Sequence, residues 1–287
     1  MNRYELYAII HGMNKSKSDA KQGRTEYLNK LLEGLAEERK QIVESLVERK
    51  WFKKTSFDLQ KDLLNLPEDY NGFLKDLGNR PETIGQVEVL KLVKLAYGNF
   101  QIIPVFEVRS NLTNEVFTYE YSSWKYGRFP GYKGIILVES DNQIKFFFIK
   151  KGEKFPTGSQ VYDAIGTHLV TFSNDKLIHL PSNIENQVKK LLGVNDIQFK
   201  RFIDLGIVNP DPGMTNNHTA IFATIINIVD AERIQKKIGG KQLMALAPGY
   251  ELEIHPIERL LEFVAKSDDS YFLACVARLQ ALNIIKL

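Results

Sequence analysis

Chemistry-bearing residues gather in the stretch 202–225, FIDLGIVNPDPGMTNNHTAIFATI. Two apolar runs of strand character bracket the polar segment NPDPGMTNN. Pro210 and Pro212 fix φ and Gly213 admits φ > 0, so the loop is stiff and tightly shaped. Asp211, Asn217 and His218 offer hydrogen-bonding groups around that backbone, which suits a polar ligand; an ordinary long hairpin accounts for the same pattern. A second group is WKYGR, Trp124 to Arg128, where Trp124 and Tyr126 offer aromatic faces and Arg128 a cation. Stacking plus anion pairing would use them, and so would strand aromatics packed inward. Arg109 follows a strand and could pair with an anion or with the neighbourhood of Glu107. A third group is acidic. Glu251 and Glu253 have i, i+2 spacing and face one side of a strand. With Asp163, just before Gly166, they could hold a hard cation, and a solvated edge strand explains them equally.

Other chemistries lack their patterns. There is no G-x-G-x-x-G leading into a helix, no G-x-x-x-x-G-K-[ST], no G-x-S-x-G and no H-E-x-x-H. The histidines His168, His179, His218 and His255 have no metal-ligand spacing with Cys or carboxylates. KKGEKFPTGSQ has the glycines and lysines of a phosphate loop without a helix start, and reads as a hairpin connection. The 287 residues carry a net charge of +3, are 44% hydrophobic and 25% charged, and include one cysteine, Cys275. These are globular values, and the charge is far below that of a dedicated nucleic-acid binder. A lone cysteine inside YFLACVARL excludes an internal disulfide and suits a reducing cytoplasm. No run approaches the roughly 20 apolar residues of a membrane span. The expectation is a cytoplasmic protein with no membrane or nucleic-acid partner.

The elements that must position these residues fall into two textures. Residues 1–98 read as a mostly helical N-terminal domain. Its longest helix is expected over 25–50, capped by Thr25, with Leu28, Leu31, Leu32, Leu35, Ile42, Val43, Leu46 and Val47 at helical spacing. RKWFKK follows, either a helix end packed by Trp51 and Phe52 or a nucleic-acid contact. Short helices broken at Pro67 and Gly72 come next, and a last helix is expected from Pro81 to Gly98. Residues 99–287 then turn to β-branched and aromatic runs: QIIPVFEVRS, EVFTYEYSSWKYG, GIILVES and QIKFFFIKK, separated by turn signals. VYDAIGTHLVTF, a helix over Asn183–Leu192 closed by Gly193, the 202–225 stretch, a strand YELEIHPI, a helix IERLLEFVA and a terminal helix after Asp268 and Asp269 complete the chain. The fold class is α+β.

In this order the elements resemble the Nudix family, in particular its ADP-ribose pyrophosphatase-like branch. The likeness rests on IIPVFEVRSNLTNEVFTYEY as extra N-terminal strands and on GIILVESDNQIKFFFIKK as the first core hairpin. It continues through DLGIVNPDPGMTNNHTAIFAT and ELEIHPIERLLEFVAKSDDSYFLACVARL. It covers about residues 100–287 and implies an α/β/α sandwich with a mixed sheet behind a mostly helical N-terminal unit. It also implies that WKYGR lies where the branch holds adenine and phosphate contacts. Dimerisation through residues 101–122 is implied as an option, and residues 1–98 would serve a protein partner.

The family's motif, Gly-x5-Glu-x7-Arg-Glu-x-x-Glu-Glu-x-Gly, places carboxylates on one helix face to hold Mg²⁺ on a diphosphate. With its last glycine on Gly193, Asn186 falls on the arginine, Gln187 on the next glutamate, and Lys190 and Leu191 on the Glu-Glu pair. Ile178 and Phe172 fall on the first glutamate and glycine, and Glu185 is one position off. Lys190 would then neutralise a ligand phosphate in place of the metal. The resemblance thus implies a degenerate box and a protein that binds or senses a nucleoside-diphosphate compound, of ADP-ribose or dinucleotide type, with no cofactor. Its ligand-binding residues would be Arg109, Trp124, Tyr126, Arg128, Lys190, Asp211, Gly213, Asn217 and His218. Two other readings stay open. One is an active hydrolase using Mg²⁺ on the relocated carboxylates Glu251, Glu253 and Asp163; the other is a structural interaction domain.

Overall fold

A computed structural model of the chain describes residues 22–129, 131–154, 158–168, 181–238 and 250–286. Its contacts divide the chain into two compact units, Met1–Gly127 and Arg128–Leu287. The division expected at 98/99 falls instead in the turn of a β-hairpin.

The first unit begins with α1 over 22–33 and α2, Glu37–Val47, where a single helix was expected. The break at 34–36 contains Gly34, the residue that loses most backbone entropy in a helix. Thr25 lies inside α1 rather than at its cap. α3, Lys50–Lys54, buries Trp51 and Phe52, which settles RKWFKK as packing. α4, Phe57–Leu64, is capped by Ser56 and precedes Pro67. α5, Asn71–Asn79, runs through Gly72 without a break. That glycine is required for closeness: a Cβ there would lie 2.1 Å from the Tyr126 carbonyl oxygen.

The helix expected from Pro81 to Gly98 is a strand pair, β1, Thr83–Ile84, and β2, Val87–Tyr97. Its run VEVLKLVKLAY is apolar apart from Glu88, Lys91 and Lys94, and β2 pairs antiparallel with β3, Gln101–Ser110, from Val87↔Ser110 to Tyr97↔Ile102. Cross-strand pairing along β2 outweighs a helical propensity that single-residue scales rank only weakly. β4, Val116–Glu120, and β5, Ser123–Trp124, also pair with β3. One face of this sheet joins α2–α5 in a core containing Leu46, Phe52, Phe73, Leu92 and Phe106.

The second unit is a mixed sheet with helices against both faces. Its strands are β6, Gly131–Ser140; β7, Gln143–Lys154; β8, Ser159–Asp163; β9, Ile165–His168; β10, Phe199–Val208; β11, Thr219–Asn227; and β12, Tyr250–Pro256. The order is β10-β11-β6-β7-β12, with β8 on β7 and β9 on β6. Only β11 and β6 run parallel among these pairs. Period-2 alternation sorts the side chains. Ile136, Val138, Phe148, Ile165, Phe222 and Leu252 meet α6, Pro181–Leu192, and α7, Ile228–Ile238. Ile135, Leu137, Phe147, Ile149, Ile221 and Ala223 meet α8, Leu260–Val264, and α9, Ser270–Ala281. Each fully buried Phe contributes about 1.5–3 kcal/mol of transfer free energy.

Local signals fix the ends. Gly193 takes φ +64° directly after α6. Asp269 caps α9 by accepting from Tyr271 N at 3.3 Å. α7 was not foreseen, although Asn227 caps it through Asp230 N at 2.7 Å and Ala231, Ile234 and Ile238 recur at helical spacing. Cys275 is fully buried on α9, and burial pushes its thiol up to about 12. No described helix is long and apolar enough to cross a membrane.

Candidate functional site

The densest group of buried charges in the second unit sits where β7 leaves β6 and pairs with β8. Asp163, at the end of β8, is 1% exposed. Its Oδ1 accepts from Lys154 Nζ at 2.8 Å. Its Oδ2 lies 3.2 Å from Lys150 Nζ and 2.8 Å from Lys154 Nζ, yet accepts no hydrogen bond of good geometry. The backbone dictates this meeting, because Lys150 and Asp163 are direct register partners. Tyr250 lays its ring 4.4 Å from Lys150 Nζ. Lys133 on β6 completes the group electrostatically, and its ammonium lies 6.0 Å from the Tyr271 ring centroid. Tyr271 in turn shares a 3.1 Å hydrogen bond with Thr219 at the start of β11.

The charges shift one another. Burial, reinforced by the positive charge of Lys133, pushes Lys150 down to about 8 against the pull of Asp163. For Asp163, burial favours the neutral acid, but Lys150, Lys154 and Lys133 outweigh it and hold the carboxyl below its ordinary range. Burial lowers Lys154, and the hydrogen bond and charge of Asp163 more than reverse this. Lys150 and Lys154 thus meet on Asp163, and the Asp269 carboxylate also acts on Lys154. Lys154 is 34% exposed at its side chain, so the group opens to solvent on that side. Lys150 and Lys154 lie in KKGEKFPTGSQ, which the sequence suggests as a hairpin connection with the lysines of a phosphate loop, and only the β7–β8 register brings Asp163 onto them.

The relocated carboxylates do not converge. Lys150 is the register partner of Leu252 as well as of Asp163, so Asp163 shares the Leu252 face of the sheet. Glu251 and Glu253 flank Leu252 and face the other way. Glu253 is taken by Lys151 at 3.0 Å and His255 at 2.8 Å. Burial raises Glu253, and those two hydrogen bonds outweigh it, so its carboxyl is held low.

The positions that the Nudix resemblance assigns to metal ligands do not fit a hard cation. On α6, Asn186, Gln187 and Lys190 are exposed and Leu191 is buried in the core. An amide, an ammonium and an aliphatic chain cannot replace carboxylates around Mg²⁺. Among the described residues no group of three or more His, Cys, Asp or Glu could hold a metal ion. Ile178, Phe172 and His179 lie outside the described residues.

The 209–218 loop is organised by its own polar groups. Asp211 Oδ1 accepts from Gly213 N and Met214 N, both at 3.2 Å. Asn209 Oδ1 accepts from Asp211 N at 3.1 Å, and His218 Nδ1 lies 2.7 Å from Asn216 O. Asp211, Gly213 and His218 therefore already serve the loop. Asn217 is 9% exposed, and its Oδ1 has no hydrogen-bond partner. Arg128 stacks at 5.2 Å on Phe129. Arg109, Trp124 and Tyr126 belong to the first unit. Arg109 meets Glu88 at 3.5 Å rather than Glu107, which pairs with Lys91. Trp124 lines a shallow groove of about 510 Å³ with Tyr97, Phe100 and Ile103. Lys125 reaches Asp69 and lies 5.0 Å from the Tyr126 ring.

No family model matches the chain. No curated protein matches it by sequence. Among solved structures, one described as a crystal structure of an ADP compounds hydrolase is similar over 71% of this chain and 100% of its own, at a TM-score of 0.48 and 8% identity. At that level the likeness assigns neither fold nor activity.

Proposed function

We propose that the second unit is a Nudix-type α/β/α sandwich that binds a phosphate-bearing ligand, of nucleoside-diphosphate type, without hydrolysing it. The observation that carries this reading is the meeting of two lysines, Lys150 and Lys154, on the buried Asp163, with the Tyr250 ring against Lys150. A partly buried ammonium cluster attracts an anion more strongly than surface lysines do, because water screens it less. Tyr250 lies beside Lys150 and offers a face for a base or a sugar. Support for the sandwich comes from the helices against both sheet faces and from a hairpin, a strand and a glycine-closed helix in the family's order. Lys190, exposed on α6, would add a cation near the chain's counterpart of the family helix.

The test is thermal unfolding with ADP-ribose, NAD and inorganic phosphate, with and without Mg²⁺, alongside a product assay. A ligand at a hundred times its Kd stabilises by about 2.7 kcal/mol. The reading expects stabilisation without metal and no product. Metal-dependent turnover that disappears in Glu251→Gln or Glu253→Gln would replace it with the hydrolase. Unchanged unfolding with every nucleotide and with phosphate would leave the interaction domain.

A further inference from the structure

Among the described residues, β4 is the terminal sheet strand whose edge carries no obstacle to a further strand. A row of unpaired N–H and C=O groups templates another chain unless charge, proline, a bulge or brevity blunts it. The other terminal strands of the two sheets are blunted. β10 has two register shifts and carries Lys200, Arg201 and Asp204. β12 carries Glu251, Glu253 and Pro256, and β1 has only two residues. β4 has five residues, VFTYE, with no lysine, arginine or proline, and its register with β3 is unbroken. Val116, Phe117 and Tyr119 on it are 53%, 41% and 42% exposed.

The ladder fixes which groups face that edge. Ser110 N donates to Glu115 O at 2.9 Å, so these two residues form a hydrogen-bonded pair. Such pairs alternate with non-bonded ones along an antiparallel ladder. Val108↔Phe117 and Phe106↔Tyr119 are therefore bonded pairs, and Val116, Thr118 and Glu120 turn their N–H and C=O groups outward. We propose that β4 pairs antiparallel with β4 of a second copy of this chain, about a two-fold axis at Thr118. The strand is complementary to itself in that register. Thr118 meets the second copy's Thr118, and Val116 meets its Glu120, in hydrogen-bonded pairs that use every outward group. Phe117 then meets the second copy's Tyr119 in the intervening non-bonded pairs, where side chains approach closest and an aromatic cross-strand pair adds stability. Glu120 faces Val116 rather than its own copy, so no like charges oppose. No strand is exchanged: each chain keeps its own β3–β4 ladder. Five residues a side bury less than the ~1,200 Å² of stable interfaces, so the pairing is weak and reversible.

Sedimentation velocity of the full chain from about 1 to about 300 µM should show a shift from monomer to dimer. Thr118→Lys places like charges across the two-fold axis and leaves the β3–β4 bonds intact. It should hold the chain monomeric with an unchanged circular dichroism spectrum. Cross-linking reads the register. Thr118→Cys should form an intermolecular disulfide under mild oxidation, since its two copies face one another. Val116→Cys should not, because in this register its two copies stand about 13 Å apart along the strands. The native Cys275 is buried and does not compete. A dimer that Thr118→Lys leaves intact, or disulfides as abundant in Val116→Cys as in Thr118→Cys, would overturn the proposal. A chain that stays monomeric throughout would also overturn it and leave the edge to a foreign strand.

Discussion

Asp163 and Glu253 lie on opposite faces of the same sheet, although β7 is the direct neighbour of both their strands. Asp163 pairs across to Lys150, and Glu253 pairs across to Ile149. One residue of register separates the two partners, and in a strand one residue reverses the face. A cation shared by these carboxylates is therefore ruled out by the pleat.

Removal of the Asp163 charge should be costly. Asp163→Asn leaves Lys150 buried beside a neutral amide, and breaking a buried pair in this way costs about 3–5 kcal/mol. Urea unfolding of the variant should move its midpoint down with little change in slope. Lys150→Met added to Asp163→Asn should recover part of the loss, because the unpaired cation is gone. A double variant no more stable than Asp163→Asn would show that Lys150 does not carry the penalty.

The two partners predict the same pH trend in two separate windows. Asp163 is depressed in the folded state, so its contribution is present above the ordinary carboxylate range and is lost as pH falls through its lower folded value. Lys150 is depressed too, which for a lysine disfavours folding while both states are charged. Between about 8 and its ordinary 10.5 the unfolded chain holds the extra proton, so stability from this residue rises with pH. Thermal unfolding of the native chain and Lys150→Met across pH 7–10 should show the rise in the native chain only.

Glu253 should matter little to stability. Its side chain is 25% exposed, and partly solvated pairs contribute about 0–1 kcal/mol. Glu253→Gln should therefore unfold within about 1 kcal/mol of the native chain at pH 7. Its carboxyl is held low by His255 and Lys151, so whatever it contributes is lost as pH falls through that lowered value. A larger loss at pH 7 would mean that the Lys151 and His255 contacts are structural.

Gly134 tests the core on the α6 and α7 side. A Cβ at this position would lie 2.6 Å from the Phe222 ring and from the Phe222 carbonyl oxygen. Gly134→Ala should destabilise by about 1–3 kcal/mol, the range for overpacking. An unchanged midpoint in urea would mean that Phe222 moves aside freely.

Much of the second unit was legible in the sequence. The β6–β7 hairpin, the glycine-closed α6, the β10 and β11 runs and the Asp269-led α9 each carry a local signal that tertiary context did not override. The first unit misled at 81–98. VEVLKLVKLAY satisfies both a helical and a strand pattern, and the partner strand that decides between them lies across a turn. The site was less legible for the same reason. Asp163 was visible as an acid, but its lysines lie on another strand, and only register joins them. The loop over 209–218 looked like a ligand cradle because Asn and Asp serve backbone turns as readily as ligands.

The buried thiol of Cys275 makes this chain a convenient host for site-directed probes. With its only cysteine sealed on the inner face of α9 and its proton held up to about 12, the native thiol should resist maleimides in the folded state. A cysteine introduced at an exposed position would then take a fluorophore or spin label alone, without first removing the native one.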